Sequence, residues 1–467
     1  MNIDSKQLES IVALVAEKLK NVAEQNSQTI GCSGIFEDMN DAIEAACKAQ
    51  KELFKMTISD RKKITDSIKD HLINYVNELS ELAVKETGMG NCDDKRIKNT
   101  VALQKTPSVE DLRAGVYTGD DGLTLLEMSP FGVIGAISPS TNPSETVICN
   151  TIGMIAAGNS VVFSPHPGAY NTSNRTVVLL NEAIEMAGGP KNLVVSVDHP
   201  TMEKANIMMN HKKINMLCAT GGPGVVKAVL STGKKAIGAG AGNPPVLVDE
   251  TADIEKAAKD IIAGCSFDNN LPCVAEKEVI VVESVCEYLV FNMKQNGAYE
   301  LTDPEMIAKL QKMIMVDKFN PCRDFVGKSA VYILSKLGIT ADPSIKVIIM
   351  ETEADHPFVL GELMMPVLPI VKVKDAQEGI ELACKVEHGF RHTAICHSKN
   401  VDVLTEMAHR IQTTIFVKNG PSFAGIGVGG EGHTTFTIAG PTGEGLTSAS
   451  SFTRKRRCVL VNGFNIK

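Results

Sequence analysis

The sequence predicts an α/β protein with two domains of similar size, each built on a parallel sheet, and three observations carry that expectation. Short runs of Val, Ile and Leu recur along the chain, among them Ser160-Val161-Val162-Phe163, Pro245-Val246-Leu247-Val248 and Val279-Ile280-Val281-Val282. Helical stretches such as Asn171 to Ala187 stand between them, as crossovers between parallel strands require. The chain has 467 residues, 43% of them hydrophobic, which is enough for two cores, and no apolar run approaches the roughly 20 residues of a membrane span.

In chain order, residues 1 to about 20 predict a separate amphipathic helix. Leu8, Ile11, Val12, Val15 and Leu19 form one apolar stripe, with Lys6, Glu9, Glu17 and Lys18 between them. A linker over 21–35 follows, in which Glu24-Gln25-Asn26-Ser27-Gln28-Thr29 is uniformly polar and Gly31 and Gly34 come after it. Such a helix could open the core, lie on a membrane or dock in a partner's groove, and the mixed charge on its polar face argues against an anionic membrane. From Asp38 to Asn99 the pattern is helical. Strands are then expected at Gly132–Ile137, Ser160–Phe163, Asn192–Val195, Ile214–Cys218 and Pro245–Val248, and in the second half at Val279–Val282, Val347–Met350, Val367–Val373 and Thr414–Val417. No internal repeat or low-complexity tract interrupts them.

Charge and cysteine usage narrow the function. The balance of 47 basic against 55 acidic residues gives a net charge of -8, and the basic residues form no long stripe outside Arg454-Lys455-Arg456-Arg457, so nucleic acid is not the expected partner. The 12 cysteines form no C-x-x-C pair or regular framework, and no secretory leader precedes them. A reducing cytoplasm without structural zinc or another metal site is the economical reading.

One of those cysteines stands out. In Ser266-Phe267-Asp268-Asn269-Asn270-Leu271-Pro272-Cys273 a small polar loop ends in a thiol and opens onto an apolar strand, a way to hold a nucleophile at the floor of a cleft. Its thiolate would need positive potential nearby, for which Lys277 and Arg391 are candidates against the plainer alternative of surface solvation. Taken alone, Cys273 reads more readily as an inert buried cysteine. Three loops follow strands and could cradle a nucleotide: Ser138-Pro139-Ser140-Thr141-Asn142-Pro143, Ser164-Pro165-His166-Pro167-Gly168 and Thr220-Gly221-Gly222-Pro223-Gly224. Each is also compatible with an ordinary turn, and no G-x-G-x-x-G stands at a first strand-helix turn. His166, His388, His392 and His433 have no spacing that sets them against Cys273.

Taken together, the residues resemble the aldehyde dehydrogenase superfamily from about Asp38 to the C-terminus. The resemblance rests on Thr141-Asn142-Pro143, Ala156-Ala157-Gly158-Asn159-Ser160-Val161-Val162, Thr220-Gly221-Gly222, Cys273 and Glu362-Leu363-Met364-Met365-Pro366-Val367, all in family order. It implies a cofactor-binding domain at 36–238, a catalytic domain at 239–436 and a C-terminal return at 437–467. A β-arm at about 116–127 and the strand Thr453 to Val461 would join subunits into a homo-oligomer. Cys273 would be the nucleophile and Glu362 would hold a nicotinamide ribose. The dinucleotide, NAD by family expectation, would meet Ser138, Pro139, Ser164, Pro165, His166, Pro167, Gly168, Thr220, Gly221, Gly222 and Ala239.

Departures from the pattern sharpen the reading. Hydrolytic members carry a base in Glu-Leu-Gly-Gly, which here aligns with Ala239-Gly240-Ala241-Gly242, and the family's adenosine-binding lysine is replaced by Ser164. Both changes, and the segment Phe267 to Glu278, resemble the CoA-acylating branch. Glu86-Thr87-Gly88-Met89-Gly90, with Asp94-Lys95 and Lys98-Asn99 after it, is similar to the propionaldehyde and acetaldehyde dehydrogenases of bacterial microcompartments. Residues 1 to about 20 look like their encapsulation helix, which implies shell or core proteins as partners and a cytoplasmic location inside such a compartment. The resemblance implies oxidation of a small aldehyde at Cys273, with the Cys273 N–H and either Asn142 or Thr141 facing the oxyanion, and delivery of the acyl group to coenzyme A. A hydrolytic enzyme releasing free acid, a nicotinamide-independent cysteine acyltransferase and a non-catalytic shell-associated protein are the rival readings.

Overall fold

A computed structural model of the protein describes residues 34–466. The N-terminal helix expected at 1–20 and nearly all of the linker expected at 21–35 lie outside the described residues. After β1 (Ile35–Phe36), the predicted helical stretch is four helices: α1 (Met39–Leu53), α2 (Ile58–Leu72), α3 (Val76–Thr87) and α4 (Cys92–Lys105). Their starts follow local chemistry. Asp38 and Asn91 cap α1 and α4 with their side chains, and Thr57 with Asp60 forms a reciprocal capping box on α2.

The first sheet is six-stranded and wholly parallel, in the order β1, β6 (Val194–Val197), β5 (Ser160–Pro165), β4 (Val133–Ser138), β7 (Met216–Thr220), β8 (Lys235–Ala239). Period-2 alternation sends its side chains to two cores: Ile134, Ala136, Val161 and Phe163 to one face, Val133, Val162, Val195 and Leu217 to the other. This double burial is why the strands read as continuous apolar runs. The expected strand at Asn192 begins instead at Val194, because Asn192 has a positive φ of 59° and still belongs to the turn. Around the sheet lie α5 (Pro143–Ala156), α6 (Tyr170–Met186), α7 (Met202–Asn210) and α8 (Pro223–Leu230).

The second sheet has seven parallel strands in the order β11 (Ala298–Glu300), β12 (Val347–Glu351), β13 (Val367–Val373), β10 (Glu278–Val282), β9 (Pro245–Val248), β14 (Thr393–His397), β15 (Ile415–Lys418). Between β9 and β10 runs α9 (Ile254–Ser266), which delivers the chain to the Cys273 loop. One continuous core contains Ile134 and Val161 of the first sheet together with Val246 and Val279 of the second. A small pair, β16 (Ile438–Ala439) and β17 (Gly445–Leu446), precedes β18 (Thr453–Val461). There β18 pairs antiparallel with β3 (Gly122–Pro130), which also pairs with β2 (Gly115–Gly119). Along this ribbon Val116, Tyr117, Val459, Leu460 and Val461 are exposed. No helix among the described residues is long and apolar enough to cross a membrane.

Candidate active site

Because β4, β5 and β7 lie side by side and parallel, the loops that leave their carboxyl ends open at one edge of the sheet. The strand order reverses here, from β4 out to β5 and β6 on one side and to β7 and β8 on the other, which is where open parallel sheets form ligand crevices. A cavity of about 1660 Å³ occupies this position. Ser138, Pro139, Thr141, Asn142, Ser164, Pro165, His166, Pro167, Gly168, Thr220, Gly221, Gly222, Cys273 and Glu362 all line it, so the fold gathers them from segments far apart in the chain. Ala239 does not line it. It is buried at the end of β8, paired with Thr220, and its neighbours Gly240 and Ala241 reach the cavity instead.

The residues fit a dinucleotide. Gly222 caps α8 and Pro223 starts it; Val225 and Val226 donate to the Gly222 carbonyl, which leaves the Gly224 N–H of that helix end at the cavity wall. A Cβ added at Gly222 or Gly224 would meet nothing within 4 Å, which leaves the backbone open to a phosphate. Ile137, Leu271, Met364 and Phe436 add apolar lining, suited to a short hydrocarbon chain.

Cys273 is held by a strained and heavily bonded loop. Asp268, Asn269 and Asn270 have φ values of 48°, 55° and 65°, a left-handed run tolerated by Asp and Asn because of their short polar side chains. Each is pinned. The Asp268 N–H donates to Asp94 Oδ2 at 2.7 Å, Asn269 Nδ2 to the Gly327 carbonyl at 2.9 Å, and Asn270 Nδ2 to the carbonyls of Cys265 and Glu276, both at 2.9 Å. Lys277, expected on a surface or near the thiol, is buried and donates to Asn270 O at 3.1 Å and Oδ1 at 2.6 Å. Cys265 is a buried thiol at the end of α9, outside the cavity lining, and burial pushes its pKa up.

The electrostatics around the nucleophile are mixed. Burial and then the Glu362 carboxylate push the Cys273 thiol up to about 12, while Lys277, its own backbone N–H and Lys98 pull it down. Glu362 is itself raised by burial and lowered by Lys277 and the Gly242 N–H. Lys277 and Lys98 therefore favour the thiolate, burial and Glu362 oppose it, and the balance favours the neutral thiol.

A buried charge cluster, absent from the expected site, lies behind Asn142. Lys98 Nζ reaches Asp268 Oδ2 at 2.6 Å, Glu145 Oε1 at 3.2 Å and Asn142 Oδ1 at 2.6 Å, and Lys95 Nζ reaches Asp268 Oδ2 at 3.0 Å and the Thr141 carbonyl at 3.4 Å. Burial opposes the charge on Lys98, yet Asp268 and Glu145 beside it raise its pKa. Lysines and carboxylates are common surface residues, so nothing in their local sequence marks them as buried. The available signal was the Glu86 to Asn99 segment, which carries Gly90, Lys95 and Lys98; in the structure Gly90 has a positive φ of 75° and approaches the Asp268 carboxylate too closely for a Cβ.

The histidines divide. His166 and His388 line the cavity, the first with its Nδ1 accepting from the Gly168 N–H at 3.0 Å and the second with Nε2 2.9 Å from the Leu360 carbonyl. His392 is buried against Gly242, and burial then Lys277 lower its pKa to about 4. His433 is exposed. Among the described residues no group of three or more His, Cys, Asp and Glu side chains could hold a metal ion.

Comparison with known proteins places this geometry. The model described as "Aldehyde dehydrogenase family" matches residues 24–444. The chain is 49% identical over 467 residues to the CoA-propanoylating propanal dehydrogenase of Salmonella typhimurium, covering 100% of both chains. A crystal structure of Rhodopseudomonas palustris propionaldehyde dehydrogenase with bound CoA and an acylated cysteine shares 59% identity at a TM-score of 0.92, over 93% of this chain and 100% of that one. A propionaldehyde dehydrogenase from the fucose utilisation microcompartment of Clostridium phytofermentans shares 54% identity at a TM-score of 0.91, over 93% and 100% of the two chains.

Proposed function

Since this chain belongs to the aldehyde dehydrogenase family, we propose that it converts a short-chain aldehyde, propionaldehyde or acetaldehyde, with NAD and CoA to acyl-CoA and NADH through a cysteine thioester. The relatives above catalyse or bind the parts of that reaction by name: CoA-propanoylating propanal dehydrogenase, and an enzyme carrying CoA with an acylated cysteine. The observation that favours transfer to CoA over release of free acid is the crossing between the sheets. Ala239-Gly240-Ala241-Gly242 runs past the cavity with no side chain able to take a proton from water.

In this reading Cys273 Sγ bonds to the aldehyde carbon, and the oxygen that becomes negative meets the Cys273 N–H and the Asn142 carboxamide, Thr141 being the alternative. When bound, the nicotinamide supplies the acceptor for the hydride that leaves that carbon. Cys273 then holds the acyl group as a thioester. CoA thiol attacks the thioester carbonyl and Cys273 leaves with the electron pair, to be reprotonated. Glu362 holds the nicotinamide ribose, and Ser138, Pro139, Ser164 to Gly168 and Thr220 to Gly222 hold the rest of the dinucleotide. NAD is the family expectation; the Ser164 to Gly168 loop itself carries no lysine or arginine, although Arg323 lies near His166 in the same cavity. The same loops are the obvious nucleotide seats for CoA, so the two compete and the kinetics are ping-pong.

The test is a rapid-mix experiment. Without CoA, about one NADH per active site should form in a burst, followed by a slow phase, and CoA should restore turnover. Free carboxylic acid formed at the rate of NADH without CoA would overturn the reading.

We further propose that β2, β3 and β18 join subunits, and that residues 1 to about 20 address the enzyme to a microcompartment shell or core protein in the cytoplasm. The exposed apolar residues of the ribbon and the microcompartment relative support these readings.

A further inference from the structure

We propose that Lys98 is a positioning residue for aldehyde oxidation, fixing the Asn142 carboxamide so that an N–H faces the oxygen that becomes negative when Cys273 attacks. The inference rests on the reading of Asn142 as an oxyanion donor. An ammonium has three N–H bonds and no lone pair, so the Asn142 atom 2.6 Å from Lys98 Nζ has to be the carbonyl oxygen. Asp268 Oδ2 at 2.6 Å and Glu145 Oε1 at 3.2 Å are its ion-pair partners and hold the ammonium in place by charge. These acceptors belong to three different segments: the Cys273 loop, the first turn of α5 and the residue that caps α5. Lys98 is fully buried and cannot swing away to another partner.

The Asn142 amide is thereby turned. Of its two N–H bonds, Thr141 Oγ1 takes one at 3.3 Å, and the other remains for the cavity that Asn142 lines together with Cys273. The local cost supports a purpose beyond packing. Asn142 is the N-cap of α5, a position where Asn normally accepts from the helix's own N–H groups, yet its side chain makes no cap bond. Its oxygen is committed to Lys98 instead. Asp268, which anchors Lys98, is also bonded by the Asn91 N–H at 2.9 Å and by Lys95, so the cluster ties the donor to the loop that carries the nucleophile. This gives a role to the Gly90, Lys95 and Lys98 positions of the Glu86 to Asn99 segment.

A mutant cycle tests it, read by the rate of the NADH burst without CoA. K98M/E145Q removes one charge of each sign and leaves the Lys95–Asp268 pair intact. N142A should slow the burst about a hundredfold, the usual cost of losing one oxyanion donor. K98M/E145Q should slow it at least about tenfold with aldehyde KM little changed, since the donor acts on the transition state. The decisive variant is the triple one: it should be no slower than N142A, because Lys98 has nothing to position once the amide is gone. Losses that multiply would overturn the proposal and leave Lys98 a structural ion pair. If N142A bursts at the wild-type rate, the proposal also falls, while the CoA dependence of wild-type turnover still decides the acyl-transfer reading separately. Circular dichroism melts monitor folding. Should K98M/E145Q not fold, K98M/E145M, which leaves no polar group at either position, carries the same cycle, with the same supporting and overturning results.

Discussion

At the residue scale, the proposed chemistry rests on the thiol of Cys273, and its neighbours set how often it is a thiolate. C273S should abolish aldehyde oxidation with the melting temperature unchanged within a few degrees, because the loop is held by Asp268, Asn269 and Asn270 and not by the thiol. Wild-type NADH formation in C273S would refute the assignment. Glu362 raises the Cys273 pKa, so E362Q removes a negative charge that disfavours the thiolate. Alkylation of Cys273 by iodoacetamide at pH 8 should then run faster than in the wild type. An unchanged or slower rate would show that Glu362 does not act on the thiol through its charge. Cys273 and Glu362, which share the cavity, were singled out in the sequence because their motifs are local. Lys98, Glu145 and Asp268 were not, since their burial depends on segments brought together from 47 to 170 residues apart.

Elements show a second level of control, in turns and in strands. Gly90 lies between α3 and α4, where its positive φ and the Asp268 carboxylate both exclude a side chain. G90A should cost about 1–2 kcal/mol from backbone strain alone, and more from displacing Asp268, so that the burst slows together with a fall in melting temperature. Strand β14 is preceded by His392 and ends at His397, both buried and both lowered to about 4 by burial. Their pKa falls below the unfolded value near 6.5, so the stability they contribute is complete above pH 6.5. It is lost as pH falls toward 4, because the unfolded chain takes up the protons first. Each shift is worth roughly 3 kcal/mol at full extent. Burial raises Glu276 to about 7, which works the other way: its contribution is complete below the unfolded carboxylate value and is lost as pH rises through 7. H397L should therefore shrink the difference in urea midpoint between pH 5 and pH 7.5, and an unchanged difference would place the acid sensitivity elsewhere. Most strands were visible from their Val and Ile runs, and their two-sided burial explains why. Asn192 was misplaced because its left-handed turn is a backbone property that an apolar pattern does not report.

For the whole molecule, assembly and address can be separated from catalysis. Replacing Val459 and Val461 with Asp should leave the core intact, because both are exposed on the ribbon, and should reduce the assembly size measured by light scattering. Unchanged size would remove the ribbon from the interface. Deleting residues 1 to 20 should leave activity in solution intact and abolish co-localisation with compartment shells, whereas loss of folding would make that segment part of the core. The amino-acid sequence by itself determined the alternation of strands and helices and the lack of a carboxylate in Ala239-Gly240-Ala241-Gly242, and it singled out Cys273 and the strand-following loops as candidates, because each is written in contiguous residues and their local preferences. Only the tertiary structure decided that these loops share one cavity, that Ala239 stops short of it, and that Lys98 reaches from α4 to Asn142 and Asp268. The physical reason is that burial and charge pairing are set by which segments the two sheets bring within a few ångströms, and a buried lysine has the same local sequence as a solvated one.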